Sequence, residues 1–166
     1  MNGRIVKQWV AFVCTALLAA GSAIAAGKPY QDDPEKSRCV QDASAKFGVP
    51  AIAIWVLLDV EGGKVGEVSW NSNGTYDIGP MQINSSWLKS LAKFGISDQE
   101  LRDNLCLNIG VGSWIFAKEL DRHKSLPKAI AFYHSPTGKH QYRYLGLAMN
   151  ALDRRIARMK REDNQG

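Results

Sequence analysis

Apolar residues recur every three or four positions along most of the chain, which is the spacing of one face of a helix. Glycine and proline interrupt this pattern and set the expected helix ends. Helices are predicted to begin near Pro34, Pro50, Ser85 or Ser86, Ser97 or Asp98, Asn104, Leu126 and Gln141. The first ends at Gly48, the one after Ser85 or Ser86 ends at Gly95, and the last ends near Arg161.

Two long helices carry apolar stripes that we expect to face the core. In the helix from about Asn104 to His123, the inward residues are predicted to be Ile109, Trp114, Phe116 and Leu120. In the last helix they are predicted to be Leu145, Ala148, Leu152, Ile156 and Met159. Ser97 and Glu100 match a capping box, which supports a helix start at that point.

The segment from Ala51 to Val60 is apolar apart from Asp59 and leads directly to Glu61. Periodicity alone allows either a buried strand or a buried helix for so short a run. The start at Pro50 and the pair Gly62-Gly63 favour a helix that ends at Glu61.

The helical period disappears between Lys64 and Ile83. Asn73-Gly74 is a strong turn signal in this segment, and short apolar stretches flank it, so a small irregular hairpin is expected. The predicted fold class is therefore α+β and mainly helical, with a small β-rich hairpin insertion.

Residues 1–25 have the pattern of a secretory signal. Arg4 and Lys7 charge the front, the following apolar core is interrupted only by Thr15, and Ala23-Ile24-Ala25 has the small-x-small form of a cleavage site. The core is shorter than the roughly 20 residues of a membrane span. We therefore predict cleavage, a periplasmic protein and no stable membrane span; an uncleaved anchor is the alternative.

The remaining residues are predicted to form one domain at 34–161, with a lead-in at 26–33 and a short tail at 162–166. About 140 residues allow roughly two thirds of the unfolded surface to be buried. The formal net charge of +5 falls to about +3 without Arg4 and Lys7, and a modest positive surface suits an anionic polymer such as the cell wall. Cys39 and Cys106 would be buried thiols in a reducing compartment, but an oxidising one favours a disulfide between them.

Glu61 is the main candidate for chemistry. Burial and the partial negative charge at the carbonyl end of a helix both favour the protonated form of a carboxyl group. A carboxyl group that stays protonated near neutral pH is what glycosidic bond cleavage requires of its general acid. Taken alone, Glu61 is explained more simply as a solvated glutamate beside a glycine turn, so the interpretation depends on the segments that follow.

Three segments carry a recognisable combination: Glu61 at a helix end, Gly79-Pro80-Met81-Gln82-Ile83-Asn84, and Ala131-Phe132-Tyr133-His134-Ser135. Together they resemble the signatures of the lytic transglycosylases with a lysozyme-like fold. Within that family, the chain is most similar to the small enzymes that accompany conjugative and other specialised secretion systems. The similarity extends from about Cys39 to Tyr144. The chain departs from the family pattern at Gly62, where serine or another small residue is usual, and at His134, where asparagine is usual.

The resemblance implies that the substrate is peptidoglycan, cut at the β-1,4 bond between N-acetylmuramic acid and N-acetylglucosamine. Glu61 would protonate the leaving oxygen and then act as base while the 6-hydroxyl of the muramic acid attacks the anomeric carbon. The product would be a 1,6-anhydro sugar, formed without water. A secretion or conjugation machine is the implied partner.

The residues expected on the substrate side are Gly79, Met81, Gln82 and Tyr133. The amide of Gln82 is suited to orienting an acetamido group or Glu61 itself. Met81 offers an adaptable apolar wall, or is simply part of the core. Tyr133 has a hydroxyl able to hydrogen-bond Glu61 and a ring able to pack on sugar, with core packing as the alternative. His134 is expected to be a cap or a supporting residue.

Two other functions remain open. A hydrolytic muramidase would need a second carboxylate roughly 5 to 10 Å from the acid. Asp59 lies about 200° around the helix from Glu61 and so diverges from it, whereas Asp77 could approach or could instead hydrogen-bond the turn backbone. A protein that binds or scaffolds glycan without cutting it is the second alternative.

Metal and nucleic-acid functions are not favoured. The three histidines, His123, His134 and His140, and the cysteines show no metal-ligand spacing, so no metal or other cofactor is predicted. The basic segment 154–161 could contact DNA, but a solvated helix face explains it more simply, and the signal directs the chain away from DNA.

Overall fold

The computed structural model describes residues 32–135 and 137–164, without the side chain of Lys139. The predicted signal at 1–25 lies outside these residues, as does most of the lead-in, so both remain predictions. Within the described part, no helix is both long and apolar enough to cross a bilayer.

The described chain is mainly helical and carries a small antiparallel sheet. The helices are α1 (Pro34–Phe47), α2 (Ala51–Glu61), α3 (Leu88–Leu91), α4 (Asp98–Asp103), α5 (Leu105–His123), α6 (Leu126–His134) and α7 (Gly138–Asp163). The strands are β1 (Val68–Trp70), β2 (Tyr76–Ile78) and β3 (Ile83–Asn84). Two 3₁₀ turns, Ser85–Trp87 and Ala92–Phe94, flank α3. The predicted fold class is confirmed.

Local signals set most of the helix ends. Gly48 and Gly95 both adopt the left-handed conformation at the predicted stops, where a residue with a Cβ would be strained. Ser97 and Glu100 form the predicted capping box. The prediction of a helix for Ala51–Glu61 is confirmed, and the strand alternative is wrong.

The predicted hairpin is confirmed and gains a third strand. The strand order is β1-β2-β3, with Val68 opposite Ile78 in the first pair and Ile78 opposite Ile83 in the second. Ile78 and Ile83 are buried. The sheet thereby anchors the segment 79–82, which connects β2 to β3, against the helical core.

Helix α5 is central: it packs against α1 on one side and α6 on the other, while α7 packs on α2 and α6. Of its predicted inward residues, Ile109 and Phe116 are fully buried, and Trp114 and Leu120 pack at the margin of the core. This arrangement brings the ends of α2, α6 and the sheet together.

The helical segment before α3 begins at Ser85, as predicted, and Asn84 caps it, because its side chain accepts a hydrogen bond from the Ser86 N–H. Two predictions about α7 are wrong. Helix α7 begins at Gly138 and not at Gln141. Its first turn has no apolar period, so the sequence pattern gave no sign of it.

The predicted inward stripe of α7 is also wrong in its second half. Ile156 and Met159 are 39% and 55% exposed. The residues that are buried on α7 are Tyr144, Ala148, Ala151 and Arg155. This stripe also has helical spacing, but it includes two polar side chains, those of Tyr144 and Arg155. Their hydrogen bonds to Glu61 and Asp59 of α2 offset the cost of burying them.

Arg155 joins α7 to α2. Its guanidinium donates to both carboxylate oxygens of Asp59 at 2.6 and 2.7 Å and to Asp32 at 3.0 Å, and it lies 4.2 Å above the Trp55 ring. Burial lowers the pKa of Arg155, but the hydrogen bonds and charges of Asp59 and Asp32 outweigh that effect and raise it above its usual value. The prediction that the basic segment is a solvated face is therefore wrong for Arg155.

The structure brings Cys39 and Cys106 together. Their Cα atoms are 4.9 Å apart, within the range of a disulfide, and their sulfur atoms lie at bonding distance. Cys39 is on α1 and Cys106 is in the first turn of α5, so the bridge would fasten these two helices. Oxidation of the pair in the native protein stays a prediction.

Candidate active site

Glu61 is the last residue of α2. Gly62 follows in the left-handed conformation, and its N–H bonds to the carbonyl of Leu58 at 3.1 Å, which ends the helix. The Glu61 side chain is only 11% exposed. It lines a cleft of about 820 Å³ that also contacts the sheet, α5 and α6. The carboxyl group thus lies nearly buried at the edge of an open cleft.

Tyr144 holds the Glu61 carboxyl group. Its hydroxyl donates a 2.6 Å hydrogen bond to Oε1 of Glu61, and the residue is 2% exposed. Burial, together with the charge of Glu61, raises the pKa of Tyr144 far above its usual value. The phenol therefore stays protonated and acts as a donor.

Sequence reasoning missed Tyr144. The apolar pattern assigned the neighbouring Leu145 to the core, because a tyrosine in a polar helix start gives a weak burial signal. The small residues Ala148 and Ala151 at helical spacing after Tyr144 were the available sign of the correct face.

His134, the last residue of α6, lies against the same pair. Its ring stacks on the Tyr144 ring with centroids 4.2 Å apart and an angle of 9° between the planes. Its Nδ1 atom is 3.8 Å from Oε1 of Glu61, which is longer than a hydrogen bond. The imidazole side chain is 42% exposed, so it forms part of the cleft wall.

Tyr133 does not hydrogen-bond Glu61, contrary to our expectation. Its hydroxyl donates to the backbone carbonyl of Met81 at 2.8 Å. Burial, followed by the charges of Glu61 and Asp77, raises the pKa of Tyr133 well above its usual value. Tyr133 thus ties α6 to the segment between β2 and β3, while Tyr144 takes the role expected of it beside Glu61.

The segment 79–82 makes two unusual backbone turns beside Glu61. Gly79 has φ of 64° and Gln82 has φ of 47°, a conformation that side-chain-bearing residues rarely adopt. The Gln82 side-chain amide lines the cleft and donates to the Gly79 carbonyl at 2.9 Å. Gly63 lies directly against this carbonyl and this amide, and a Cβ there would overlap both.

Met81 is part of the core. It is fully buried and packs on Gly112 of α5, where a Cβ would come within 2.7 Å of the Met81 Cβ. The interpretation of Met81 as an apolar wall for substrate is therefore not supported. The absence of a side chain at Gly112 lets the segment 79–82 approach α5 closely.

Asn108 on α5 fixes the same segment by hydrogen bonds. Its Oδ1 accepts from the Met81 N–H at 2.9 Å, and its Nδ2 donates to the carbonyls of Ile78 and Leu101, both at 3.0 Å. The residue is fully buried. Sequence reasoning missed Asn108 because a single asparagine inside an apolar helix does not reveal its partners.

Asp77 lines the cleft but is engaged by two amides. Its Oδ1 accepts from Asn84 at 2.8 Å and its Oδ2 from Asn71 at 3.0 Å. The partners are side chains and not the turn backbone that was expected. Thr75 extends this network by accepting from both amides.

Glu119 is a further carboxylate on the cleft wall, which sequence reasoning did not consider. Its side chain is 12% exposed and lies 3.3 Å from Nε2 of His123 and 3.5 Å from Arg122. Asp59, by contrast, points to Arg155, in agreement with its predicted divergence from Glu61. Among these carboxylates, Glu61 is the one placed against a phenol donor at a helix end.

Comparison with known proteins decides the family. The family model for the transglycosylase SLT domain matches residues 38–153, which includes every residue of the site described above. The chain belongs to the SLT transglycosylase family. The SLT domain has a lysozyme-like fold, in agreement with the helical architecture and the small sheet.

Several relatives of this SLT domain are similar at moderate identity. The invasion protein IagB of Salmonella typhimurium is 29% identical over 100 residues, covering 60% of this chain and 62% of IagB. The X polypeptide of Escherichia coli is 26% identical over 134 residues, covering 78% of this chain and 70% of that protein. Protein IpgF of Shigella flexneri is 23% identical over 131 residues, covering 78% and 86%.

Within the described residues of the SLT domain, no three histidine, cysteine, aspartate or glutamate side chains gather as metal ligands. A second cavity, of about 510 Å³, lies between α1, α5 and the 3₁₀ turn before Gly95, and is lined mainly by apolar side chains. None of the cleft residues contributes to it. The Glu61 cleft and this apolar cavity are therefore two separate spaces with different linings.

Proposed function

We propose that this protein is a lytic transglycosylase that cuts the β-1,4 bond between N-acetylmuramic acid and N-acetylglucosamine in peptidoglycan. The observation that carries the proposal is the Glu61 carboxyl group, nearly buried at the end of α2, hydrogen-bonded by Tyr144 and open to the cleft. Membership of the SLT family supports the reaction class.

In the first step, protonated Glu61 donates its proton to the glycosidic oxygen, and the bond between that oxygen and the anomeric carbon breaks. The Tyr144 hydroxyl supports the carboxylate that forms, because a charge-assisted hydrogen bond is stronger than a neutral one. In the second step, the 6-hydroxyl oxygen of the muramic acid bonds to the anomeric carbon, and its proton returns to Glu61. The product is a 1,6-anhydro sugar, and no water is consumed.

This route needs only one acid-base group, and the other carboxylates of the cleft are already engaged. Asp77 is held by two amides, and Glu119 lies beside two basic side chains. A hydrolase would need one of them as its second carboxylate. Their engagement supports the single-carboxylate route over hydrolysis.

We further propose that the enzyme acts in the periplasm, where it opens the wall locally for a secretion or conjugation machine. The N-terminal signal pattern and the likeness to small enzymes of such systems support this, as does the similarity to a protein named for invasion. No metal or other cofactor is needed for the two steps.

Glu61→Gln tests the assignment, with Asp77→Asn as a matched change of carboxylate to amide in the same cleft. Glu61→Gln should lower the release of fragments from purified sacculi by at least about 10²-fold, because it removes the transferable proton. Its thermal stability should stay level or rise, since no buried carboxyl group has to be desolvated. Asp77→Asn should lose some stability through its mismatched amide partners but keep turnover and the anhydro product.

The outcomes separate the alternatives. Fragments whose mass includes an added water would show hydrolysis. Wild-type protein that binds sacculi at every pH but releases no fragment would indicate a binding protein. Folded Glu61→Gln with near wild-type activity, or folded Asp77→Asn without any, would overturn the role of Glu61 as sole acid and base.

A further inference from the structure

His134 occupies a position that the proposed reaction does not use. It is on the cleft wall, but its Nδ1 atom is 3.8 Å from Glu61, too far for a hydrogen bond. The imidazole is also 42% exposed, so solvent weakens its electrostatic interaction with the carboxyl group. A direct effect of His134 on Glu61 is therefore weak, and its strongest contact is with Tyr144.

The contact with Tyr144 is a flat stack. The two rings are 4.2 Å apart and within 9° of parallel, so the imidazole covers one face of the phenol. The Tyr144 hydroxyl is bonded to Glu61, so movement of the phenol ring would move this donor away from the carboxyl group. A ring on one face restricts such movement.

The end of α6 is itself fixed to α7. The side-chain amide of Gln141 donates to the Ser135 carbonyl at 2.9 Å, directly after His134 in the chain. Gln141 and Tyr144 are three residues apart on α7 and therefore share a face of that helix. One face of α7 thus holds the α6 terminus and receives the His134 ring.

We propose that His134 is a positioning residue that acts on Glu61 through Tyr144. The stacked imidazole keeps the phenol hydroxyl on Oε1, so the proton donor retains the geometry that the proposed reaction needs. The role belongs to the flat ring and not to its charge. This inference rests on the proposed transglycosylase activity.

A double-mutant cycle on kcat tests the proposal. His134→Ala should lower the kcat for release of anhydro fragments from soluble glycan strands by about 3- to 10-fold, the range set by one aromatic pair. His134→Phe retains a flat ring and should stay within about twofold of wild type, with an unchanged pH profile. When Tyr144 is already Phe, His134→Ala should cost less than about twofold, because the hydroxyl it positions is gone.

A second measurement does not depend on turnover. Isotope-labelled tyrosine, assigned by the loss of its NMR signal in Tyr144→Phe, reports the hydrogen bond to Glu61 in the full chain. His134→Ala should speed the exchange of the Tyr144 hydroxyl proton with water, because the hydrogen bond to Glu61 opens more often, and His134→Phe should leave that exchange rate unchanged. Thermal melts confirm that each variant is folded.

Three results would overturn the inference: equal effects of His134→Ala with and without the Tyr144 hydroxyl, a His134→Phe variant as impaired as His134→Ala, or an unchanged exchange rate of the Tyr144 hydroxyl proton in His134→Ala. Failure of the proposed function looks different. In that case wild type releases no anhydro fragments, or Glu61→Gln matches it, while the NMR comparison still decides the role of His134.

Discussion

Asn108→Ala should lower the free energy of unfolding by more than the removal of a small side chain would suggest. The side chain satisfies one buried N–H and two buried carbonyls, those of Met81, Ile78 and Leu101. Leaving a buried backbone group unpaired costs about 1 to 3 kcal/mol, so three groups give about 3 to 9 kcal/mol. A water that enters the space left by the amide can satisfy some of them, so we expect a loss of about 3 to 5 kcal/mol.

Thermal unfolding followed by circular dichroism measures this loss. For a domain of this size, about 4 °C of melting temperature corresponds to 1 kcal/mol, so we expect a decrease of about 12 to 20 °C. Asn104→Ala is the matched control, because Asn104 caps the same helix but makes one exposed hydrogen bond, to the Leu107 N–H. Loss of such a cap costs about 0.5 to 2 kcal/mol.

The activity of Asn108→Ala below its melting temperature gives a second readout. Asn108 holds the segment that carries Gln82, so turnover should also fall while the protein is still folded. A melting temperature no lower than that of Asn104→Ala would refute the reasoning. It would mean that the three backbone groups find other partners at no cost.

Three further predictions follow from contacts away from Asn108. Gly63→Ala should lower both the melting temperature and turnover, because the added Cβ overlaps the Gly79 backbone. Gly110→Ala is the control: the space around Gly110 on α5 is open, so alanine should stabilise the protein by about 0.5 to 1 kcal/mol. Equal melting temperatures of the two variants would contradict this. Arg155→Met should lower the free energy of unfolding, measured by chemical denaturation, by about 3 kcal/mol, because it leaves Asp59 unpaired. Adding Asp59→Asn to the same chain should recover part of this loss. If nothing is recovered, the ion pair is not the cause of the loss. The raised pKa of Tyr144 means that the folded state holds the phenol proton more tightly than the unfolded state does. The free energy of unfolding should therefore fall as pH rises above about 10, and it should fall less steeply in Tyr144→Phe. Identical pH profiles of unfolding for the two proteins would exclude this linkage.

Much of the fold could be predicted because its signals are local. Proline, glycine and the capping box lie within a few residues of the helix ends they set, and Glu61 follows from its place before Gly62. The sheet was recognisable from Asn73-Gly74 for the same reason. Its third strand was not, since two residues carry too little pattern.

The missed features all depend on partners far along the chain. Tyr144 is 83 residues from Glu61, and Arg155 is 96 residues from Asp59. A polar residue on an apolar helix face is predicted to be exposed when its partner is unknown. For this reason the buried stripe of α7 was predicted on the wrong side of the helix in its second half. Tyr133 was assigned to Glu61 for a related reason, because motif proximity does not show which of two tyrosines reaches the carboxyl group.

The contact between Arg155 and Asp32 also indicates where the order of the elements along the chain can be changed by circular permutation. Asp32 precedes α1 and Arg155 lies in the second half of α7, yet their side chains are 3.0 Å apart. The segment before α1 therefore lies beside the second half of α7, and the helix continues for about two turns beyond Arg155 to Asp163. A linker long enough to return along those two turns could join the helix end to Asp32 in a circular permutant, with new termini at the exposed turn around Asn73. The Arg155 ion pairs would then hold the joined segments together.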